Sequence, residues 1–212
     1  MNKDAPARRI LETGIVAIIR GIEPDVCNEV VNAIAAGGVE TIEITANTPG
    51  SVDIIQEVSD EFDDIVIGAG TVIDPETARA VQLAGAEFVV TPSINTDVIK
   101  VCKRYGTPIA TGVMTPTEAV KATEAGSDFC KLFPASTTGP EHVSAINSPL
   151  PQVPIVPTGG VSLENAAAFF NAGAVALGVG SAIIDKEAIE AGKFDLLTET
   201  AREFVAMAEE HR

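Results

Sequence analysis

Two residues of this chain carry charge where charge is expensive. Lys131 lies within Ser127-Asp128-Phe129-Cys130-Lys131-Leu132-Phe133-Pro134-Ala135, a run with the length and composition of a buried strand. Alternation puts Phe129, Lys131 and Phe133 on one face and Cys130 and Leu132 on the other. An isolated buried ion costs several kcal/mol, and burial favours the neutral form of an amine. A neutral lysine amine attacks a carbonyl carbon and forms a Schiff base. The plainer alternative is a strand-end lysine that snorkels to water. Glu43, between Ile42 and Ile44, poses the same problem with the opposite sign. One solution is a structural Glu43–Lys131 ion pair; the other is a general acid/base working in a polar site.

Short β-branched runs supply the strands that would position these groups: Ile15–Arg20, Thr41–Thr45, Ile65–Ala69, Glu87–Thr91, Pro108–Thr111, Asp128–Phe133, Pro154–Thr158 and Ala174–Val179. Helical patterns lie between them, which is the alternation of a parallel sheet with crossover helices. Helix starts are signalled at Asp74-Pro75-Glu76, Thr115-Pro116-Thr117-Glu118 and Ser162-Leu163-Glu164. Ala-Gly pairs recur at Ala36-Gly37, Ala84-Gly85, Ala125-Gly126 and Ala172-Gly173, each after a helix and before a strand, where glycine is expected as a left-handed cap. Their spacing matches two βα units each, hence eight strands. The fold class predicted is α/β, a (β/α)8 TIM barrel spanning residues 1–212 as one domain with a short N-terminal helix. An open doubly wound sheet would stop nearer five or six strands.

In such a barrel the chemistry gathers at the C-terminal strand ends. Those ends carry Arg20; Glu43 and Thr45; Gly70-Thr71; Thr91-Pro92; Thr111-Gly112; Lys131 and Phe133; Thr158-Gly159-Gly160; and Gly178, Gly180-Ser181. The glycine-rich corners at Gly159-Gly160 and Gly180-Ser181 follow strands seven and eight, where barrels commonly hold phosphate on backbone N–H groups and helix starts. Tight-turn glycine is the local alternative. Its occurrence in both loops favours an anion.

The ordered motifs Gly37-Gly38-Val39-Glu40-Thr41-Ile42-Glu43-Ile44-Thr45, Ile67-Gly68-Ala69-Gly70-Thr71-Val72, Gly112-Val113-Met114-Thr115-Pro116, Lys131-Leu132-Phe133-Pro134-Ala135 and Pro157-Thr158-Gly159-Gly160-Val161 span nearly the whole chain. They resemble the class I aldolases of 2-keto-3-deoxy-6-phosphogluconate (KDPG) and 4-hydroxy-2-oxoglutarate (KHG). The resemblance implies a homotrimeric barrel that cleaves a phosphorylated keto sugar acid to pyruvate and glyceraldehyde 3-phosphate. It implies Lys131 as the Schiff-base lysine and Glu43 as an acid/base acting through water. Thr71 and Thr158 then lie near the pyruvate carboxylate and substrate hydroxyls, Phe133 beside the Schiff base, and Gly159, Gly160, Gly180 and Ser181 at the phosphate. Many relatives have arginine where this chain has Asn47, so Arg20 is expected to neutralise the carboxylate. The galactonate and shorter keto-acid substrates stay open. So do a phosphate-binding isomerase or epimerase that uses Glu43 alone, and a barrel that only binds a metabolite.

Composition bears on partners and surroundings. Only His142 and His211 are present, so a histidine-built metal site has too few ligands; neither a metal nor a cofactor is expected. No Gly-x-Gly-x-x-Gly or Walker-type loop supports a nucleotide. The formal charge of −16 disfavours nucleic acid, which is bound by neutralising phosphates. No apolar stretch approaches a membrane span, and Met1-Asn2-Lys3-Asp4-Ala5-Pro6-Ala7-Arg8-Arg9 lacks a signal-peptide core, so a cytoplasmic location is expected. Cys27, Cys102 and Cys130, odd in number and widely spaced, read as reduced thiols. An acid-rich surface with few lysines suits a salt-rich, halophilic cytosol, where self-repulsion is screened. The unfolding midpoint should therefore rise between low and molar salt; a midpoint indifferent to salt contradicts this habitat.

Overall fold

Every strand pairing in the protein is parallel, in the order β7-β6-β5-β4-β3-β2-β1-β8. The strands are β1 (Ile15–Ile19), β2 (Thr41–Thr45), β3 (Val66–Gly70), β4 (Phe88–Val90), β5 (Ile109–Val113), β6 (Phe129–Leu132), β7 (Ile155–Pro157) and β8 (Leu177–Val179). A parallel bridge between Thr158 and Gly178 joins the two ends of that order. The architecture is a (β/α)8 barrel. It comes from a computed structural model that describes residues 5–212; Met1-Asn2-Lys3-Asp4, part of the N-terminal reading above, lies outside the described residues.

Helix α1 (Ala5–Thr13) precedes β1. Between the strands run α2 (Pro24–Ala36), α3 (Ser51–Glu61), α4 (Pro75–Leu83), α5 (Thr96–Tyr105), α6 (Pro116–Glu124), α7 (Gly139–Asn147) and α8 (Leu163–Asn171). After β8 come α9 (Lys186–Glu190) and α10 (Phe194–His211). No helix among the described residues is long and apolar enough to cross a membrane. Asp74 and Thr115 cap α4 and α6, accepting from Thr77 N and Glu118 N, and proline follows each as the first helical residue. At α8 Glu164 stands in the first turn as expected, and the reciprocal cap contact comes from the next residue, Ser162 N donating to Asn165 Oδ1 at 2.9 Å. An amide three residues in can reach back as a carboxylate would.

Alternation divides the strand residues between two apolar layers. Ile42, Ile44, Cys130 and Leu132 face the helices, whereas Val16, Phe88, Val90, Phe129 and Val156 fill the barrel, with Ile10 of α1 joining them. Burial pushes the Cys27, Cys102 and Cys130 thiols up to about 11, 12 and 11, so all three are neutral thiols packed as apolar groups.

Three details differ from expectation. β5 runs on to Val113, so Thr111 lies inside the strand and takes a hydrogen bond from Ser127 Oγ at 2.7 Å instead of lining the mouth. β8 opens three residues later than its apolar run, at Leu177. In the first Ala-Gly pair, Gly37 has φ −81°, and the left-handed residue is Gly38 at 95°. Gly37 serves close approach instead: a Cβ there would meet the Ala201 Cβ of α10 at 2.5 Å.

Candidate active site

β2 and β6 are four strands apart in a ring of eight, so Glu43 and Lys131 enter the barrel from opposite walls. Glu43 is 1% exposed and Lys131 3%. Their side chains meet across the lumen, with Nζ 3.9 Å from Oε1. That distance is an ion pair but too long for a hydrogen bond. Glu43 Oε1 has no hydrogen-bond partner among the described residues. A buried carboxylate oxygen without a donor is a poor structural anchor.

Neighbouring glycines make this meeting possible. In register, Glu43 lies between Ile18 and Gly68, and Lys131 between Gly112 and Val156. A Cβ on Gly70 would overlap the Glu43 carboxylate; one on Gly68 would overlap the Phe88 ring. The interior strand positions are thus left empty to admit one long polar chain and one large ring. The Phe133 ring centroid is 5.2 Å from Lys131 Nζ. An aromatic face near the amine tolerates a cation there, which an imine on that nitrogen becomes when protonated.

Above this pair opens a cavity of about 610 Å³, within the range of small-molecule sites. Lys131, Phe133, Thr158, Gly159, Gly160, Gly180, Ser181 and Arg20 all line it. Lys131 and Thr158 also line a small space of about 20 Å³ below, together with Glu43 and the apolar interior. Lys131 therefore stands at the floor of an open site, with a small, mostly apolar space beneath it.

The two glycine corners form opposite sides of one wall. Gly159 and Gly160 have φ of 88° and 79°, and Asn165 Nδ2 holds the Gly160 carbonyl at 2.8 Å. A Cβ on Gly178 would overlap Thr158 Oγ1, so that glycine clears the space for Thr158. After β8, the N–H groups of Ile183 and Ile184 both reach the Gly180 carbonyl at 2.9 Å, folding the chain tightly back.

Arg20 does not pair with Glu23 among the described residues. Its Nη2 donates to Thr71 Oγ1 at 3.2 Å, which draws the guanidinium over the mouth toward β3. Thr71 itself has φ 57°, a left-handed conformation that a β-branched residue adopts at a cost of order 1–3 kcal/mol. Such strain beside a cavity marks a residue whose backbone position matters more than local stability.

Four expected substrate contacts, Thr45, Asn47, Thr71 and Pro92, do not line the cavity, and Glu43 lines only the small space beneath it. Thr45 is fully buried and shares a 3.1 Å hydrogen bond with Thr48, whose hydroxyl accepts from Gly21 N and so anchors the first loop. Asn47 is exposed in the turn after β2, and Pro92 packs its backbone against Gly112. Lys186, by contrast, lines the cavity and was not among the expected residues. Reading strand ends stops at Ser181; only the tight return of the chain after Gly180 brings residue 186 back to the mouth.

The family model for KDPG and KHG aldolases matches residues 7–200. The chain is 38% identical to 2-dehydro-3-deoxy-6-phosphogalactonate aldolase of Escherichia coli over 79% of this chain and 82% of that protein. It is 33% identical to the KHG/KDPG aldolase of the same organism, over 96% and 97%. The KDPG aldolase of Legionella pneumophila, solved with pyruvate captured at low pH as a covalent carbinolamine intermediate, superposes with a TM-score of 0.87 at 29% identity, covering 93% of this chain and 96% of that one. A barrel built this way, matched at such identity over nearly its whole length, belongs to the KDPG and KHG aldolase family of aldehyde-lyases.

Proposed function

We propose that the protein is a Schiff-base aldolase that cleaves KDPG to pyruvate and glyceraldehyde 3-phosphate. The observation that carries this reading is the Lys131–Glu43 pair, a buried amine 3.9 Å from a buried carboxylate oxygen that has no hydrogen-bond partner, with Lys131 at the floor of an open cavity. Lys131, as the free amine, adds to the C2 ketone and loses water to give a protonated imine, which accepts the electron pair of the breaking bond. Glu43 takes the C4 hydroxyl proton, the C3–C4 bond breaks, and the aldehyde leaves an enamine behind. Protonation at C3 and addition of water release pyruvate and restore Lys131. Each proton transfer by a placed group contributes about 10²–10⁴-fold. Phe133 shields the imine, Thr158 contacts the substrate, and the Gly159-Gly160 and Gly180-Ser181 corners take the phosphate. The homotrimer that the resemblance implies is part of the same proposal, and light scattering tests it.

A second reading, the galactonate epimer as substrate, is favoured by the 38% identity to the E. coli phosphogalactonate aldolase. Assaying both C4 epimers separates the two.

Three outcomes test the chemistry. Borohydride reduction with pyruvate should add a reduced pyruvyl group to the peptide carrying Lys131. A label on Lys100, Lys103, Lys121 or Lys186 instead removes Lys131 from its role, and no label at all favours an isomerase or a silent barrel. Glu43→Gln should lower turnover by roughly 10²-fold or more with the fold and phosphate affinity retained. A variant that loses stability but not turnover returns Glu43 to a structural ion pair. Arg20→Lys should lower kcat/KM by roughly 10-fold on phosphorylated and unphosphorylated keto acids alike, because lysine cannot copy a bidentate grip on the shared carboxylate. A loss confined to the phosphorylated substrate moves Arg20 to the phosphate, and no loss leaves it a rim residue.

A further inference from the structure

Lys186 has no part in the chemistry described above, yet it sits on the wall of the same cavity as Gly159, Gly160, Gly180 and Ser181. Its position is built in two steps. The double hydrogen bond onto the Gly180 carbonyl reverses the chain directly after β8, and the buried Ile183 and Ile184 pin that turn. Residue 186 then projects toward the first loop, where its Nζ reaches the Gly21 carbonyl at 3.4 Å. That contact is beyond the usual range for N–H···O bonds, so a charged acceptor would displace it readily.

The charges around it are uneven. The chain has 14 basic residues against 30 acidic ones, yet three of the 14, Arg20, Lys131 and Lys186, line this one cavity. Among the described residues Lys186 has no carboxylate within ion-pair distance. Its neighbour Asp185, exposed on the same wall, accepts through Oδ1 from the N–H groups of Glu187 and Ala188, so that carboxylate caps α9. Glu187 is the other acid on the wall, and it is exposed. Arg20, one residue before Gly21, leans away from Lys186 onto Thr71. An ammonium group is thus left without a carboxylate partner on the wall of a cavity that the glycine corners also line.

We infer that Lys186 is a specificity residue that pairs with the doubly charged phosphate of the substrate and sets the preference for phosphorylated over unphosphorylated keto acids. The inference rests on the aldolase reading for the substrate's identity. Its physical content is narrower: a phosphomonoester dianion bound between the β7 and β8 corners and the Lys186 ammonium. Peptide N–H groups supply direction, and Lys186 supplies the net charge that they lack. Because the ammonium is solvent-accessible, its effect should weaken as salt rises.

The test compares the parent protein with Lys186→Gln and Lys186→Arg. Direct titration of inorganic phosphate by calorimetry needs no turnover, so it stands even if neither sugar acid is cleaved. Lys186→Gln should weaken phosphate binding roughly 10-fold at low salt, with a smaller difference in molar salt, and Lys186→Arg should restore most of it. In steady-state assays Lys186→Gln should raise KM for the phosphorylated keto acid far more than it lowers kcat, and the ratio of kcat/KM between phosphorylated and unphosphorylated substrates should fall by a similar factor. Unchanged phosphate affinity, or equal losses on both substrates, overturns the assignment of Lys186. A parent that binds phosphate through Lys186 but cleaves neither substrate overturns the aldolase reading and leaves this one standing.

Discussion

The rest of the structure is arranged around one costly contact, the approach of Glu43 and Lys131 across the barrel lumen. Two opposite charges taken out of water rarely recover their desolvation, and replacing such a pair with apolar groups is often neutral or stabilising by about 1–4 kcal/mol. A 3.9 Å separation with one carboxylate oxygen left without a donor is far from the arrangement that would offset this cost. The pair is therefore better explained by chemistry than by stability. The fold tolerates it because the apolar burial elsewhere in the barrel is extensive enough to offset the cost.

That tolerance is visible in what surrounds the pair. Gly70 leaves room for the carboxylate, Gly68 for the Phe88 ring, Gly178 for Thr158. Glycine inside a strand weakens it, so each of these positions exchanges local stability for space at the lumen. Below, Phe129, Val156 and Ile10 close the barrel, so Lys131 faces an opening on one side only. Thr71, held at φ 57°, offers its hydroxyl to Arg20 across the mouth. Packing, empty positions and backbone strain all converge on the same few ångströms.

Electrostatics adds a second scale. The protein as a whole repels anions, with a formal charge of −16. Yet the cavity gathers Arg20, Lys131 and Lys186 beside two glycine corners, while Asp185 is occupied in capping α9. At ordinary ionic strength the distant acids are screened over roughly 10 Å, so an anionic substrate in the cavity meets mainly the local groups. Family membership and local geometry agree on this point, and the global charge does not contradict them.

The repeat of apolar runs and Ala-Gly pairs was enough to predict eight parallel strands, because strand and helix periods are local properties of the chain. The same alternation oriented Glu43 and Lys131 inward before any contact was known, and placed Arg20, Phe133, Thr158 and the glycine corners at one end. Register and closure were not local. Where β5 ends decides that Thr111 faces Ser127 and not the mouth; close packing against α10, not a left-handed turn, explains Gly37. Thr45, a strand-end residue, hydrogen-bonds Thr48 and so anchors a loop, while Lys186, which lies beyond every strand end, lines the cavity. Residue type and period set which side chains could do chemistry; only the folded turn after Gly180 and the ring of eight strands decided which of them meet, because those distances depend on chain reversal and barrel closure, which no short stretch of sequence contains.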